Sequence, residues 1–239
     1  MNAKRILMCA AALSCALLFQ ATASAAVESP IVGYTTIEME AGNWYMLGMP
    51  FADLEDGDIK LNEHFVSGFN QGDNLLVYDS GKGYTVYRYK TGLTGEKSEG
   101  WCTAFGKTPV DITLAPGQAP FIQKNSAATV TLAGKVDLAA AYEFGSETGN
   151  VWNQLSSPSC DKVKLNDLKW TGVAAGDALL IYVSTKGYTG YRYKTGLTGE
   201  KTEGWCTARG KTPVDVDLAA GASFFVNKKS AGKGLVAVP

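Results

Sequence analysis

Residues 83–111 read GYTVYRYKTGLTGEKSEGWCTAFGKTPVD, and residues 187–215 read GYTGYRYKTGLTGEKTEGWCTARGKTPVD. The two segments lie 104 residues apart and differ at three of 29 positions, which are Val86/Gly190, Ser98/Thr202 and Phe105/Arg209. A match of this length does not arise by chance, so the chain contains a tandem duplication. The period is far longer than that of solenoid repeats, which predicts that each copy is a domain-sized unit.

Shorter motifs recur in the same order around the repeated segment. They pair residues 43–50 with 150–158, 59–63 with 163–167, 72–78 with 176–182, and 120–124 with 224–228. No Pro- or Ser-rich linker separates the copies, which indicates that they pack against each other. We therefore predict a first unit over residues 26–138 and a second over residues 139–239, related by pseudo-two-fold symmetry.

The first 25 residues have the pattern of a secretory signal peptide. Lys4 and Arg5 precede an apolar run over residues 6–19, and Ala23-Ser24-Ala25 is a small-residue cleavage site. The apolar run is short for a membrane span, and no later apolar stretch is long enough, so no transmembrane segment is expected in the mature chain. The predicted location is the periplasm, the cell surface or the extracellular space.

Short strands separated by turns dominate the rest of the chain. Residues 32–40 alternate and are rich in β-branched side chains, and residues 84–90 place Tyr87 and Tyr89 on one face of a strand. Glycine is abundant and long helical periods are absent, apart from one helical turn expected near residues 61–65. The pattern predicts an all-β protein of two tandem homologous units, each a β-sandwich or a partly closed β-barrel.

A resemblance adds to this prediction. Residues 42–50, Gly72-Asp73, residues 116–121 and residues 129–134 resemble a "GWNLVSVP…GD…GY…PGxGFW…VTLSG" repeat of exported bacterial envelope and surface proteins. The resemblance implies a compact β unit and an envelope setting, and it carries no catalytic residues. The hairpin YRYKTGLTGEK is not part of that repeat.

Composition excludes several partners. The chain has 22 basic and 23 acidic residues and no basic block, so nucleic acid is not an expected partner. No Cys-x-x-Cys motif or Cys/His cluster predicts zinc, and no cofactor motif is present. The acidic residues Asp53, Glu55, Asp56 and Asp58 do not have EF-hand spacing and do not recur in the second copy. We predict no metal and no cofactor.

Three cysteines lie beyond the predicted signal peptide. Because exported chains meet an oxidising compartment, two disulfides are considered: Cys160 with Cys206, or Cys102 with Cys206. Either pairing leaves one thiol over. Burial of all three as small hydrophobic side chains is the alternative.

The polar hairpin is nearly identical in the two copies, whereas strands such as residues 44–50 and 152–158 have diverged. Loops normally tolerate change better than cores, so the identity indicates either a shared binding role or a recent duplication. The candidate ligand-binding residues are Tyr84, Arg88, Lys90, Glu96, Lys97, Trp101, Tyr188, Arg192, Lys194, Glu200, Lys201 and Trp205. A core role for Trp101, Trp205 and the neighbouring tyrosines at 87, 89, 191 and 193 remains open.

The sequence favours a non-enzymatic envelope or surface module for binding or assembly. The lone His64 has Leu168 as its repeat partner, which excludes a histidine-dependent triad in both copies. One alternative is carbohydrate binding by the hairpins, because tyrosine and tryptophan offer flat faces beside charged groups. A second is a structural subunit joined through edge strands, and a third is a hydrolase using Glu96 and Glu99. The expected partner is a glycan or an envelope protein.

Overall fold

The computed structural model describes residues 31–52, 58–94, 97–198 and 200–239, with the side chains of residues 63–66 left aside. The predicted signal peptide, the acidic residues 53–56 and the candidate Glu96 lie outside the described residues. Ile31–Pro239 forms one compact unit. Among the described residues, no helix combines the length and apolar character needed to cross a membrane.

The protein is all-β, as the sequence predicts. The first half contains β1 Val32–Met39, β2 Trp44–Met46, β3 Phe51–Ala52, β4 Ile59–Lys60, β5 Phe65–Ser67, β6 Asn74–Asp79, β7 Gly83–Lys90, β8 Gly100–Thr103, β9 Thr113–Leu114, β10 Phe121–Gln123 and β11 Ala128–Val136. One four-residue helix, α1 Leu61–His64, forms the predicted helical turn.

The second half contains β12 Ala141–Ser146, β13 Trp152–Ser156, β14 Val163–Lys164, β15 Lys169–Thr171, β16 Ala178–Val183, β17 Gly187–Thr195, β18 Glu203–Thr207, β19 Asp217–Leu218, β20 Ser223–Asn227 and β21 Gly232–Ala237. The boundary predicted at residues 138/139 lies in the connection between β11 and β12.

Each half contains one five-stranded antiparallel sheet, and the strand order is the same in both. The orders are β2-β10-β6-β7-β8 and β13-β20-β16-β17-β18. A second sheet, β1-β11-β3 with β5, covers the first, and β12-β21-β15 is its counterpart. None of the sheets in the described ranges closes into a barrel, so the sandwich is the alternative that the structure takes.

Each half has one hydrophobic core, which fills the space between its two sheets. Leu75, Trp101, Ile122 and Leu132 are among the buried residues of the first core. Leu179, Trp205, Phe224 and Val236 are among those of the second. Tyr87 and Tyr89 pack against the first core, which confirms the face predicted for them.

The outer faces of the five-stranded sheets meet in a third cluster, here called the junction cluster. Its buried members are Met46, Ala119, Phe121 and Phe225, and the residues packed against them are Trp44, Leu76, Tyr78, Trp152, Leu180 and Tyr182. Adjacent residues of one strand point to opposite faces, so Phe121 enters the junction while Ile122 enters the first core. Both faces of the central strands are therefore buried.

Contacts across the junction come in reciprocal pairs. The ring of Phe121 lies 5.2 Å from Tyr182, and that of Phe225 lies 5.9 Å from Tyr78. The amide of Gly48 donates to the carbonyl of Gly221 at 2.9 Å, and the amide of Ser156 donates to Gly117 at 2.7 Å. Exchange of equivalent residues is what a two-fold relation produces, so these contacts are consistent with the predicted pseudo-symmetry.

Candidate functional site

The two hairpin tryptophans are core residues. Trp101 on β8 is 1 % exposed and Trp205 on β18 is 0 % exposed. Trp101 packs edge-on against Tyr89 at 5.4 Å, and Trp205 packs against Tyr193 at 5.3 Å. Neither indole can stack on a ligand at the surface, so the core interpretation holds and the ligand-binding assignment of both tryptophans is corrected.

The basic side chains of the hairpins hold neighbouring loops. Lys90 donates to the carbonyls of Ala104 (3.3 Å) and Gly106, and Lys194 donates to those of Ala208 (3.0 Å) and Gly210. These loops connect β8 to β9 and β18 to β19. Lys90 and Lys194 thus serve as internal donors that satisfy backbone acceptors.

The two arginines are anchored at, or just before, the start of the preceding strand. The Nε of Arg88 donates to Asn74 at 3.1 Å, and an Nη of Arg192 donates to the carbonyl of Gly176 at 3.1 Å. Both side chains are exposed beyond these contacts. They leave donors that face solvent, near the ends of β7 and β17 that enter the hairpin loops.

A polar cleft of about 500 Å³ lies at the base of the second hairpin. Candidate residues Glu200 and Lys201 form part of its wall. The other lining residues are Lys164, Asn166, Asp167, Thr198, Thr212, Pro213, Val214 and Asp215. The cleft places carboxylates, ammonium groups, an amide and two threonine hydroxyls around one volume.

Ion pairs and one amide set the geometry of the cleft. Lys201 lies 2.7 Å from Asp167, and Lys164 lies 2.7 Å from Asp215. The hydrogen bond from Lys164 to Asp215 raises the pKa of its amino group above the usual value. Asn166 donates to the carbonyl of Val214 at 2.8 Å and accepts the amide of Trp205 at 2.7 Å. Asn166 therefore ties the cleft floor to the buried β18.

The first half carries the same residue types at the equivalent positions. Lys60, Asn62, Glu63, Thr94, Glu96, Lys97, Thr108, Pro109, Val110 and Asp111 correspond to the ten lining residues of the second cleft. Asn62 donates to Val110 at 2.9 Å, and Lys97 lies 3.8 Å from Asp111. The described part of the first half thus repeats the second cleft's amide contact. Its ion pair differs, because Lys97 contacts the equivalent of Asp215, which in the second half pairs with Lys164.

Tyr84 and Tyr188 lie at the junction, at the far ends of β7 and β17 from the hairpin tips. They are 44 % and 52 % exposed. Burial, together with the nearby Tyr188 and Tyr78, raises the pKa of Tyr84 to about 12. The structure thus brings these two candidates together across the halves and separates them from Lys97, Glu200 and Lys201.

Cys102, Cys160 and Cys206 are free cysteines, so neither of the predicted disulfides is formed. Cys102 and Cys206 are buried on β8 and β18, each in its own half, while the thiol of Cys160 contacts the carbonyl of Pro50 at 3.1 Å. Burial raises the pKa of the Cys206 thiol. The alternative of small buried hydrophobic side chains describes Cys102 and Cys206.

Within the described ranges, no group of three or more His, Cys, Asp or Glu residues is placed to hold a metal ion. Of the carboxylate pair considered for hydrolysis, Glu99 lies beside Tyr89, whose pKa is raised by burial and by this carboxylate. Glu96 lies outside the described residues.

Of the ten residues that line the second cleft, the sequence-based candidate set contains only Glu200 and Lys201; it lacks Lys164, Asn166, Asp167, Thr198, Thr212, Pro213, Val214 and Asp215. Their signal was present in the sequence, because Lys-Leu-Asn and Lys-Thr-Pro-Val-Asp recur in both copies. What the sequence did not show is that these two motifs converge beside the hairpin loop.

No protein-family model, no curated protein and no solved structure matches this chain.

Proposed function

We propose that this chain is a non-enzymatic exported module of the cell envelope or surface that binds a hydroxyl-rich ligand, a glycan, in the clefts at the base of its two hairpins. The observation that carries the proposal is the 500 Å³ cleft of the second half, whose lining types recur at all ten positions except for the change of Asp167 to Glu63. Because other duplicated strands have diverged in sequence, the agreement of the cleft residues favours a shared role.

The chemistry of the cleft suits sugar hydroxyls, which both donate and accept hydrogen bonds. Asp167 and Asp215 accept, Lys164 and Lys201 donate, and the threonine hydroxyls do both. The carboxylates and amines are already fixed by their mutual pairs, so they are held in place before a ligand arrives.

Affinity at each cleft is expected to be weak. Trp101 and Trp205 are buried, so the clefts lack an aromatic platform and depend on hydrogen bonds that compete with water. Two equivalent sites within one compact unit offset this weakness on a repeating ligand, because the second contact forms at high effective concentration. The proposal therefore predicts stronger binding to polysaccharides than to single sugars.

The test is binding of the exported protein to a panel of immobilised polysaccharides and to their monosaccharides. Thr198→Val with Glu200→Gln removes a hydroxyl and a charge from the second cleft while keeping side-chain size. Thr94→Val with Glu96→Gln makes the equivalent change in the first. We expect each pair to weaken polysaccharide binding and the four changes together to abolish it.

Glu147→Gln is the matched control, because Glu147 is exposed and does not line the cleft. It should leave binding unchanged. Folded protein that binds no member of the panel, or equal binding by the fourfold variant, would contradict the glycan proposal.

A second candidate function is assembly through β1. Among the described residues, this eight-residue strand pairs with β11 alone, which leaves its other edge open. Ile31, Val32 and Tyr34 are 60 %, 59 % and 76 % exposed, and an open edge with apolar side chains is a template for strand addition. Sedimentation over a concentration series would show self-association that Val32→Lys with Tyr34→Lys removes. A monomer at every concentration would reject assembly of this kind.

A further inference from the structure

Asp73 and Lys124 form a fully buried pair in the first half. Both side chains are 0 % exposed, and the Nζ of Lys124 contacts the Oδ2 of Asp73. Asp73 immediately precedes β6 and Lys124 immediately follows β10, and these strands pair with Asn74 opposite Gln123. The paired strands therefore hold the amine against the carboxyl group.

Backbone groups surround the carboxyl group of Asp73 as donors. The amide of Asn125 donates to Oδ1 at 2.7 Å, and the amide of Asn70 donates to Oδ2 at 2.8 Å. The ring of Phe69 lies 5.2 Å from Nζ, and the carbonyl of Gly68 accepts from the same nitrogen. Besides Asp73, the amine thus has the carbonyl of Gly68 as an acceptor. Each carboxyl oxygen accepts from its own backbone amide.

Isolation from water changes the protonation state that is favoured for such a pair, and with it the pair's reactivity. Two charges are costly to bury, even when they are paired. Proton transfer from Nζ to Oδ2 removes both charges and leaves a neutral amine beside a neutral carboxylic acid. A neutral amine is a nucleophile, and a carboxylic acid with a donor on its carbonyl oxygen is an electrophile.

We propose that Asp73 and Lys124 condense into an intramolecular isopeptide bond. After the proton transfer, Nζ attacks Cγ, and Oδ1 takes up the negative charge against the amide of Asn125. A second proton then passes from Nζ to Oδ2, the Cγ–Oδ2 bond breaks, and Oδ2 leaves as water with both protons. The product is one amide and one water, and no oxidant or other reactant is consumed.

Proximity is what accelerates this reaction. Groups held in a reactive geometry behave as if their concentration were on the order of 10⁵–10⁸ M. The same burial keeps water from reversing the reaction. The bond would link β6 to β10 covalently, inside a sheet whose two faces are both covered.

The second half supplies an internal comparison. Asp177 and Lys228 are the equivalent pair, 1 % and 5 % exposed, but Nζ and Oδ2 lie 3.9 Å apart. Lys228 donates to the carbonyl of Gly172 as Lys124 does to that of Gly68, and Asp177 accepts from the amides of Ala174 and Lys229 as Asp73 does from those of Asn70 and Asn125. The wider separation of the amine from the carboxyl group is what distinguishes this pair from the first, so we expect it to remain ionic.

The test is peptide mapping by mass spectrometry of the full chain, purified folded and then denatured and digested with trypsin. An acylated Lys124 is not cleaved, so residues 61–82 and 108–135 should appear as one cross-linked species. Its mass should be that of the two peptides less one water, and fragmentation should place the link at Asp73 and Lys124.

Lys124→Arg keeps a buried cation but has no amine that can attack, and it should lose the cross-linked species. Lys228→Arg is the matched control and should retain it. Linear peptides 61–82, 108–124 and 125–135 alone, from folded wild-type protein, would overturn the proposal. This outcome is independent of glycan binding.

Discussion

At the scale of single residues, Gln154 on β13 stands out because its amide is buried without a partner. It is 5 % exposed, and neither Nε2 nor Oε1 has a hydrogen bond among the described residues. It borders a crevice of about 270 Å³ beside Gln118 and Asn153. Its counterpart is Met46, since Gln154 pairs with Phe225 and Met46 pairs with Phe121.

Gln154→Met should therefore stabilise the protein. The substitution places at residue 154 the methionine that the first half has at the equivalent position, Met46. It removes an unpaired amide whose burial costs about 1–3 kcal/mol. Denaturant unfolding should show a gain within that range. The reciprocal Met46→Gln should lower the free energy of unfolding by a similar amount. A Gln154→Met protein no more stable than wild type would show that bound water satisfies the amide's hydrogen bonds.

Gly117 shows the opposite situation, a position where any side chain is excluded. Its φ is +79°, and a Cβ would lie 2.2 Å from Cγ of Tyr142. We expect Gly117→Ala to lose about 3 kcal/mol, from left-handed strain and overpacking together. Gly196→Ala, at φ +67° with nothing within 4 Å, should lose only about 1 kcal/mol. Equal losses in thermal unfolding would mean that Tyr142 moves aside.

At the scale of elements, the near-identity of the two hairpins has a structural component. In both copies the Trp is buried, the strand lysine binds two loop carbonyls, and an asparagine from the preceding segment binds the loop. A change in one of these residues leaves a hydrogen-bonding or packing partner unsatisfied. Structural contacts alone therefore limit sequence divergence of the hairpins, whether or not they bind a ligand. The exposed cleft residues Thr198 and Glu200 make no such contact among the described residues, and their agreement is what favours binding.

Lys194→Met tests the structural component. The methionine keeps the apolar stem but cannot donate to Ala208 and Gly210, so two carbonyls lose a charged donor. We expect a loss of about 2 kcal/mol, since hydrogen bonds to charged groups contribute about 1.5–3 kcal/mol. Hydrogen exchange should accelerate in residues 207–212. Lys186→Met, on the exposed β16–β17 turn, is the control; unchanged exchange in both variants would contradict the role of Lys194.

The sequence predicted strands best where alternation is local. Strand β1 follows the period-2 burial pattern closely, and the observed bounds of β1 and β7 lie within one residue of the expected ones. Strand β12 was not predicted, although Tyr142 and Phe144 alternate there, because it lies where a unit boundary was expected. The loop-binding role of Lys90 could not be predicted, because its acceptors lie 14 and 16 residues further along the chain.

At the scale of the whole molecule, tyrosine burial sets the stability at high pH. Burial, with Glu203 nearby, raises the pKa of Tyr193 from 10.0 to about 12, and this side chain is only 7 % exposed. Tyr84 has a similar pKa but is 44 % exposed, so Tyr193 is expected to matter more.

Because the folded state binds this proton more tightly, its contribution to stability is complete below pH 10 and is lost as the pH rises towards 12. Urea unfolding at increasing pH should show this fall. Tyr193→Phe should make the fall shallower, while Tyr34→Phe, at 76 % exposure, should not.

The junction cluster decides whether the duplicated halves are stable separately or only together. Consecutive apolar residues in β10 and β20, such as Phe121-Ile122 and Phe224-Phe225, already indicate strands buried on both faces. Each half therefore buries the outer face of the other's sheet. If the cluster supplies a substantial part of the stability, neither half can unfold without exposing the other.

Phe225→Ala should then destabilise both halves, although Phe225 belongs to the second. Removing a buried phenylalanine costs about 3–5 kcal/mol, and we expect hydrogen exchange to accelerate in β10 and β11 as well as in β20 and β21. Phe105→Ala, at a position 98 % exposed, should change exchange in neither half. Faster hydrogen exchange in the second half alone would mean that the two copies are independently stable domains. The substitution at Phe225 can destabilise β11 only if the two halves unfold cooperatively.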